Sequence, residues 1–527
     1  MGRVDFIKGR RRVGLQFQGL TAAQNAASSL VDDQTTGRLN DQATQSRVAH
    51  SVTAQGLEYR KLKQDIISIK HIIMARVIKL SRGLDINLAG KAEKSKMTLK
   101  ASGKYALCPA SFEGVKPKVV VKEGDKVKAG DALFINKEYP EVKFASPVSG
   151  TVSLVERGDR RKLLSVRVDA DEQQEYADFG VKDVKKMDGE QVKAALLEAG
   201  LFGYINQLPY AVSTNPQTEP KAIFVSALRD MPLAGDFEFE LQGQEKDFQT
   251  GLTALSKIAK TYLGIGKAQS INASDVEVVT FVGKCPAGNV GVQVNHIDPV
   301  NKGEVVWTVD PTAVLFFGRL FNSGKVNLTR TVALAGSEVK NPCYADMTVG
   351  QEIDTLVSNS FDRSHSVRII MGNPLTGTPV AQQADGQTHF TRFLGAHTSE
   401  ITIIPEGNDN DELAGWIMPR LSQFSVSRSY FSWLFGKKKK YSLDARIKGG
   451  ERHMIMSGEY DSVLPMDIYA EYLIKAIITG DIDKQEQLGI YEVSPEDFAL
   501  AEFVDSSKLE LQRIVREGLD VLRKENS

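Results

Sequence analysis

One stretch of the sequence has the spacing of a hairpin that presents a covalently attached cofactor. Residues 124–159 read GDKVKAGDALFINKEYPEVKFASPVSGTVSLVERGD, which is two strand-turn-strand units in succession. Biotin and lipoyl carriers present a modified Lys at the tip of such a hairpin. That position is Tyr139 here, Pro140 follows it, and Lys137 lies two residues before it. The stretch therefore predicts the scaffold of a carrier without the modified Lys.

A second candidate site is the aromatic segment LFGYINQLPYAV at residues 201–212. Phe202, Tyr204 and Tyr210 could line an apolar pocket in which a flat ligand stacks against the rings. The same side chains could instead pack a domain interface around a helix end and Pro209. The sequence leaves both interpretations open.

A third candidate is SRSYFSWLFGKKKKYSL at residues 427–443, where aromatic and apolar residues stand directly before Lys437–Lys440. Aromatic side chains beside lysines are typical of membrane interfaces and suit partner surfaces. A buried aromatic strand that ends in a solvated turn is the alternative interpretation.

Motifs for metal or nucleotide chemistry are missing from the sequence. Cys108, Cys285 and Cys343 form no CxxC motif and no Cys/His cluster, so neither an iron–sulfur nor a structural zinc site is predicted. The seven histidines are dispersed, and no HExxH or GxSxG motif occurs. Neither GxGxxG nor the P-loop spacing is found, so the sequence predicts no cradle for nucleotide phosphates.

The composition is that of a globular protein with several domains. The chain has 527 residues, of which 42% are hydrophobic and 25% are charged. Lys plus Arg and Asp plus Glu number 66 each, which gives no global electrostatic attraction to nucleic acid. The sparse, odd cysteine count suits a reducing compartment. No apolar run approaches the roughly 18 residues that span a bilayer.

Residues 76–170 have the pattern of short strands separated by glycine turns. Turns are predicted at Gly124, Gly130 and Gly150, with alternating apolar residues before and after them. Two such units that face each other would form a small barrel-like sandwich.

Strand and helix patterns alternate over residues 185–325, which predicts an α/β layered domain. The runs AIFVSAL at 222–228 and VEVVTFVG at 276–283 are predicted as buried strands of a parallel sheet. Helices are predicted from Asp188, in DFQTGLTALSKIAKTYL, and in TAVLFFGRLFNSG, which Gly324 would end.

These patterns divide the chain into five regions. The predicted boundaries are 1–73 for a disordered extension or start-site artefact, 74–175 for the sandwich, 185–325 for the α/β domain, 326–404 for a further β domain and 405–527 for a mixed, helical end. The first region is polar and aperiodic, and Met74 is expected to be the true initiator. An N-terminal peptide found upstream of Met74 in the native protein would contradict that expectation.

Short pieces of the sequence between residues 79 and 504 follow one another in the order known from one protein family. They include KLSRGLDINLAG, FASPVSGTV, LLEAGLFGYINQLPY, CPAGNVGVQVNHIDPV, VWTVDPTAVLFFGRLF, GEYDSVLPMD and GDIDKQEQLGIYEVSPEDFALAEFV. The ordered set is specific, although each piece alone is not. The chain resembles the NqrA family, whose members belong to the Na+-translocating NADH:quinone reductase, a six-subunit bacterial respiratory pump.

The resemblance implies a multidomain α/β fold and a place in a complex. The expected parts are a barrel-sandwich hybrid, an α/β domain similar to the flavin-binding subunit of complex I, a β-grasp-like domain and C-terminal helices. The family member is a peripheral protein on the cytoplasmic face of the bacterial inner membrane, docked through partner subunits B to F. The complex reduces quinone to quinol and exports Na+, while the isolated chain is not expected to be catalytic.

The resemblance also implies where cofactors and substrate lie. No covalently bound cofactor is expected here, and flavins and iron–sulfur centres are expected only in the partner subunits. Quinone is the expected substrate. Phe202, Tyr204 and Tyr210 are the predicted quinone-binding residues, and His296 is a further candidate that could deliver a proton near neutral pH.

The chain departs from the family pattern at several positions. Phe202 replaces the usual Trp, Ile205 and Gln207 stand where the family has Arg, and Cys285 replaces a His. The family's Cys-Pro-Gly near the C-terminus is VDSSK at 504–508 here.

Two other functions remain open at this level. The chain could be a purely structural adaptor that closes the cytoplasmic face of the pump. It could also be the carrier-domain protein of a carboxylase or acyltransferase, which Tyr139 at the hairpin tip disfavours.

Overall fold

The computed structural model describes residues 76–100, 102–381, 388–408, 421, 423–426, 430–435 and 439–526. The predictions for residues 1–73 lie outside the described residues, as do those for residues 427–429 and 436–438 of the lysine-rich segment. The strands are β1 (Arg76–Lys79), β2 (Lys96–Met97), β3 (Lys104–Leu107), β4 (Pro117–Val119), β5 (Lys126–Val127), β6 (Ala132–Asn136), β7 (Lys143–Ala145), β8 (Gly150–Arg157), β9 (Leu163–Ala170), β10 (Ile205–Leu208), β11 (Val212–Ser213), β12 (Ile223–Ser226), β13 (Thr261–Gly266), β14 (Glu277–Val282), β15 (Val306–Val309), β16 (Thr329–Ala335), β17 (Cys343–Thr348), β18 (Val367–Met371), β19 (Thr378–Pro379) and β20 (Glu400–Pro405). The α-helices are α1 (Gly189–Glu198), α2 (Phe237–Leu241), α3 (Glu245–Ile258), α4 (Val290–Ile297), α5 (Pro311–Ser323), α6 (Asp354–Val357), α7 (Tyr460–Val463), α8 (Ala470–Ile478), α9 (Ile482–Gln487), α10 (Ala499–Val504) and α11 (Leu511–Glu525).

The predicted barrel-like sandwich is confirmed as two small facing sheets. Strands β3, β9, β8 and β5 form one sheet, and β4, β6 and β7 form the other. Gly124 and Gly130 lie in turns with φ of 89° and 104°, as predicted. The prediction of a turn at Gly150 was wrong, because Gly150 begins β8 and pairs with Ala170. A Cβ at Gly150 would lie 2.0 Å from the carbonyl oxygen of Asp169. A glycine is therefore needed here because the neighbouring strand comes so close, and not because the chain turns.

Tyr139 lies in the connection between β6 and β7, at the hairpin tip where the sequence places it. Its side chain is partly buried and packs against the main hydrophobic core. The tip therefore points an aromatic ring toward the protein interior.

The α/β domain is built on a seven-stranded sheet in the order β1-β14-β13-β12-β15-β10-β11. The first five strands are parallel, whereas β10 and β11 are antiparallel at one edge. The chain runs outward from β12 through β13 and β14 and then returns to β15 on the other side of β12. The carboxyl ends of β12 and β15 therefore meet at a topological switch point, where ligands of open α/β sheets bind.

The predicted strands and helices of this domain are observed, with two differences in detail. β12 is buried at Ile223–Val225, as a strand covered on both faces should be, whereas β14 alternates between half-buried and buried residues. Asp188 caps α1 in a capping box, and Gly324 ends α5 with φ of 70°. α3 ends at Ile258, and the last residues of its predicted pattern enter β13 instead.

A six-stranded sheet, called the third sheet because it follows the sandwich and the seven-stranded sheet, has the order β19-β18-β20-β16-β17-β2 and contains both parallel and antiparallel pairs. It confirms the predicted return to β structure after residue 326, although the β-grasp assignment stays a prediction. β2 comes from the N-terminal part of the described chain, and β1 joins the α/β sheet beside β14. Strands from residues 76–97 thus pair within the seven-stranded sheet and the third sheet, and the domain boundaries given above stay predictions.

The C-terminal helices pack around their own core, and α11 reaches across to the other sheets. Its side chains bond backbone carbonyls in three places: Arg523 bonds Gly114, Arg516 bonds Tyr210 and Ala211, and Gln512 bonds Leu375. Those acceptors belong to the sandwich, the seven-stranded sheet and the third sheet. Among the helices of the described residues, none is long and apolar enough to cross a bilayer.

Candidate functional site

A cleft of about 640 Å³ opens at the switch point of the seven-stranded sheet. One wall carries residues that follow β12 and β15, and the start of α4 lies beside them. The third sheet and the C-terminal region close the other sides. The lining side chains used below are Leu208, Asp230, Met371, His397, Glu496 and Arg516.

The floor of the cleft holds a network of buried charges. Arg229 Nη1 lies 2.9 Å from Glu240 Oε2, and its Nη2 donates to Thr312 Oγ1 at 2.8 Å. Thr312 Oγ1 in turn donates to Glu240 Oε1 at 3.0 Å. Arg330 Nη2 lies 3.7 Å from Asp310 Oδ1, and Arg330 is 1% exposed. The two arginines thus stand against two carboxylates, of which Glu240 is 1% exposed and Asp310 is 24% exposed at the cleft.

The pKa values in the cleft follow from burial and from these neighbours. Burial by itself would raise the pKa of Asp310, but Arg229 and Arg330 outweigh it and hold that pKa below its usual value. Burial raises the pKa of Asp230 to about 6, and Oδ1 of Asp230 has no hydrogen-bond partner among the described residues. Burial lowers the pKa of His397 to about 4, so its imidazole is neutral at pH 7.

The opening of the cleft is shaped by the segment from Leu208 to Ala211. Arg516 donates hydrogen bonds to the carbonyl oxygens of Tyr210, at 2.6 Å, and Ala211, at 3.1 Å. Glu496 stands nearby, and desolvation together with Asp497 raises the pKa of its carboxyl above the ordinary value. The opening therefore combines an apolar edge with one fixed cation and one carboxyl that gains a proton easily.

Phe202 and Tyr204, two of the predicted quinone-binding residues, are 0% and 2% exposed and lie in the main hydrophobic core. The Phe202 ring meets Trp307 edge-on, with centroids 5.6 Å apart. Tyr204 contacts the ring of the cleft residue His397 at 5.7 Å. Tyr204 therefore sits directly behind the cleft wall, and Phe202 packs on the sheet itself.

Tyr210 and His296 lie apart from that pair. Tyr210 packs against the core of the C-terminal helices, and its hydroxyl accepts a hydrogen bond from Asn526 at 3.2 Å. His296 is partly buried at the last turn of α4, with Nδ1 2.9 Å from the carbonyl oxygen of Val292. The start of α4 lines the cleft and His296 lies at its other end, so the four residues do not share one cavity.

Cys285, which stands where the family has a His, is 2% exposed beside the cleft residue Met231. Its Sγ lies 3.6 Å from Met231 Sδ. Burial raises the pKa of the thiol, and Asp230 raises it further. This thiol is therefore protonated and inert at neutral pH.

The sequence analysis missed the residues that build the cleft. Arg229 and Asp230 directly follow the strand run AIFVSAL, and Asp310 follows VWTV. Polar residues at the carboxyl ends of adjacent parallel strands are the signal that could have identified Arg229, Asp230 and Asp310. No local pattern marks Arg330 or His397, which reach the site from the third sheet.

Family models match three parts of the chain. They are the NqrA N-terminal barrel-sandwich hybrid domain at residues 78–171, the NqrA second alpha/beta domain at 187–326 and the NQRA C-terminal domain at 331–382. The A-subunit of the Na(+)-translocating NADH-quinone reductase of Haemophilus influenzae (strain Rd) is 34% identical over 457 residues, which are 85% of this chain and 100% of that protein. The protein of the same name from Yersinia pestis bv. Antiqua (strain Angola) is 33% identical over 456 residues, with the same coverage.

The chain belongs to the NqrA family. The resemblance seen in the sequence is thereby confirmed, and so is the presence of a barrel-sandwich hybrid domain. The likeness of the α/β domain to the flavin subunit of complex I stays a prediction. Among solved structures, a NAD+-reducing [NiFe]-hydrogenase in the H2-reduced state aligns with a TM-score of 0.33 and 9% identity, over 65% of this chain and 64% of that one. At that score the match says nothing about fold or function.

Proposed function

We propose that this chain acts as the NqrA subunit of a Na+-translocating NADH:quinone reductase. The supporting observation is that it spans the whole length of relatives that are named as this part of the reductase. In this role the chain lies on the cytoplasmic face of the bacterial inner membrane and docks on subunits B to F. The partners carry the flavins and iron–sulfur centres, and the complex oxidises NADH with quinone while it exports Na+.

The quinone contact of this subunit is the cleft at the switch point. A quinone ring needs apolar walls and one or two polar groups for its carbonyl oxygens. Leu208 and Met371 provide apolar surface, while His397 and Arg516 also line the cleft and carry nitrogen atoms that can donate hydrogen bonds. The imidazole of His397 is neutral at pH 7 and adds no charge to its wall, which suits an uncharged ligand.

The four residues predicted from the sequence take different parts in this proposal. Tyr210 belongs to the segment at the opening, Tyr204 supports His397 from behind, and Phe202 holds the wall through Trp307. His296 lies outside the cleft, so a quinone bound there would define a second contact on the same protein.

The first test is a photoaffinity quinone crosslink on the intact membrane complex, followed by mass spectrometry of the labelled peptides of this protein. Label within 201–212 that excess quinone displaces is the expected result. Displaceable label confined to the peptide around His296 would move the contact to the end of α4. Label confined to the membrane subunits would overturn the quinone part and favour the structural adaptor.

Membership in the complex is tested separately from quinone binding. An affinity tag on this chain should recover the other subunits from detergent-solubilised membranes that contain the whole reductase. Recovery of the chain alone would contradict its proposed role as the NqrA subunit, whatever the labelling shows.

A further inference from the structure

The rings of Phe424 and Tyr441 contact each other and form an aromatic clamp at the two ends of one segment of the chain. The rings of Phe424 and Tyr441 meet edge-on with centroids 5.3 Å apart, and Phe424 also contacts Phe503 of α10 at 5.9 Å. Tyr441 exchanges backbone hydrogen bonds with Asn87 and Ala89. Both ends of the segment are therefore fixed to the folded protein.

The described part of this segment turns large apolar side chains outward. Residues Phe431–Phe435 form a 3-10 turn, in which Phe431, Trp433 and Leu434 are 56%, 46% and 61% exposed. Leu421 and Val426, which precede the turn, are about half exposed as well. Five large apolar residues within fourteen positions thus face solvent, an arrangement that marks an interaction surface.

The charge of the same stretch has one sign. Residues 421–443 contain Arg428 and Lys437–Lys440 and no Asp or Glu, in a chain whose net charge is zero. Lys440 is exposed, and the Lys439 ammonium lies 5.6 Å from the Tyr441 ring centroid at the clamp. In the sequence the exposed apolar turn is therefore flanked by five cationic residues, of which the structure describes Lys439 and Lys440.

We propose that this turn inserts into the surface of a membrane that contains anionic lipids. Trp, Phe and Leu occupy the boundary between headgroups and acyl chains, and neighbouring lysines bind acidic headgroups. Charge complementarity favours a lipid surface, since the stretch carries five cationic residues and no acidic one. This contact is independent of the quinone site, and it holds the protein directly on the bilayer in addition to its partner subunits.

The test is co-sedimentation of the purified full chain with vesicles of phosphatidylcholine alone and with added phosphatidylglycerol. We expect the chain to sediment with the anionic vesicles and to be released by high salt, because the Debye length falls to about 3 Å at 1 M. The variant Phe431→Ala/Trp433→Ala/Leu434→Ala should bind about tenfold or more weakly, since it lacks three side chains that enter the membrane on binding. The double variant Lys439→Gln/Lys440→Gln should bind more weakly and with a smaller response to salt.

A matched control removes exposed aromatic side chains elsewhere. Tyr469 and Tyr472 are 69% and 59% exposed near α8, and Tyr469→Ala/Tyr472→Ala should leave vesicle binding unchanged. If the triple variant does not fold, as judged by circular dichroism, Trp433→Ala alone serves in its place.

Three outcomes would overturn the proposal. The first is a wild-type chain that sediments with neither kind of vesicle. The second is a control variant that loses as much binding as the triple variant. The third is a triple variant that binds vesicles normally but fails to assemble with the partner subunits, which would make the turn a protein interface.

Discussion

At the scale of single residues, the buried charges under the cleft matter most for stability. Glu240 is 1% exposed, and Arg229 is the cation that balances it. A buried pair contributes little net stability compared with apolar residues, but removal of one partner leaves the other charge in a medium that cannot solvate it. Removing the cation of a buried ion pair should therefore cost more unfolding free energy than removing the cation of an exposed pair.

We expect Arg229→Met to lower the free energy of unfolding by about 3–5 kcal/mol, because the buried carboxylate of Glu240 would lose its paired cation and Asp310 would keep only Arg330. The measurement is the shift in the midpoint of urea unfolding, with the dependence of the unfolding free energy on urea concentration kept the same for both variants. Lys94→Met is the matched control, since Lys94 forms an exposed 2.7 Å pair with Asp236, and it should cost less than about 1 kcal/mol. Equal losses of unfolding free energy in Arg229→Met and Lys94→Met would contradict the interpretation of Arg229 and Glu240 as a buried ion pair.

The pH dependence of stability should carry the signature of His397. The folded protein protonates this residue only near pH 4, whereas its usual pKa is 6.5. Between those values the unfolded chain binds more protons, so stability should rise with pH from about 4 to about 6.5, by up to about 3 kcal/mol. His397→Gln should flatten this rise in unfolding free energies measured at a series of pH values.

Asp230 provides the internal control for the sign of that effect. Its pKa is raised to about 6 from 3.8, so the folded state binds more protons in between and the stabilising contribution of Asp230 falls as pH rises. Asp230→Asn should therefore steepen the rise that His397→Gln flattens. If both substitutions changed the slope of the unfolding free energy against pH in the same direction, the shifted pKa of one of the two side chains would be wrong.

At the scale of elements, the close crossing of α3 and α5 depends on two glycines. A Cβ at Gly318 would lie 1.7 Å from the carbonyl oxygen of Asp247, and one at Gly251 would lie 2.1 Å from that of Val314. The obstacle in each case is backbone, which cannot rotate away. These glycines allow the two helices of the α/β layer to approach more closely than any side chain permits.

Gly318→Ala should destabilise the protein by about 1–3 kcal/mol, because overpacking outweighs the gain in helix propensity of about 1 kcal/mol. Thermal and urea unfolding measure the change. Gly103→Ala is the control and should be near neutral, since among the described residues no heavy atom beyond its two chain neighbours lies within 4 Å of a Cβ at Gly103. A stabilised Gly318→Ala would mean that the helices separate without cost.

Elements were predictable from the sequence where local patterns decide them. The cap at Asp188, the stop at Gly324 and the strand at 222–228 follow from residue types at fixed offsets, and all three are observed. The pairing of β1 with β14 was not predictable, because it joins distant residues such as Arg76 and Val279 through backbone bonds that leave no side-chain pattern. Gly150 was misassigned since a glycine needed for close approach looks like a glycine needed for a turn.

At the scale of the whole molecule, the cleft exists only because distant parts of the chain meet. Its lining runs from Glu113 to Arg516 and takes residues from every sheet region and from the C-terminal domain. The sequence could therefore predict aromatic candidates such as Tyr204 but not the cavity in front of them. The cavity forms only when the third sheet packs against the switch point, and no local sequence pattern indicates that contact.

A substitution that fills the cleft should show whether quinone binds in the cleft or elsewhere on the surface. Met371→Trp adds volume at the cleft wall, and we expect it to reduce quinone labelling of peptide 201–212 by about tenfold or more while the complex still assembles. Met97→Trp, at a separate exposed position, should leave the labelling unchanged. Undiminished labelling in Met371→Trp would place the quinone contact outside the cleft.

The carbonyl contacts of α11 have a consequence for how the chain acquires its final form. This helix bonds the sandwich, the seven-stranded sheet and the third sheet, yet it follows all three in the sequence. During translation those regions emerge and begin to fold before the residues of α11 have been made. The sandwich and the α/β domain already share one hydrophobic core at that stage, but the hydrogen bonds of α11 are missing. A ribosome stalled before Leu511 would therefore display these regions without a finished cleft, since Gln512 and Arg516 line it.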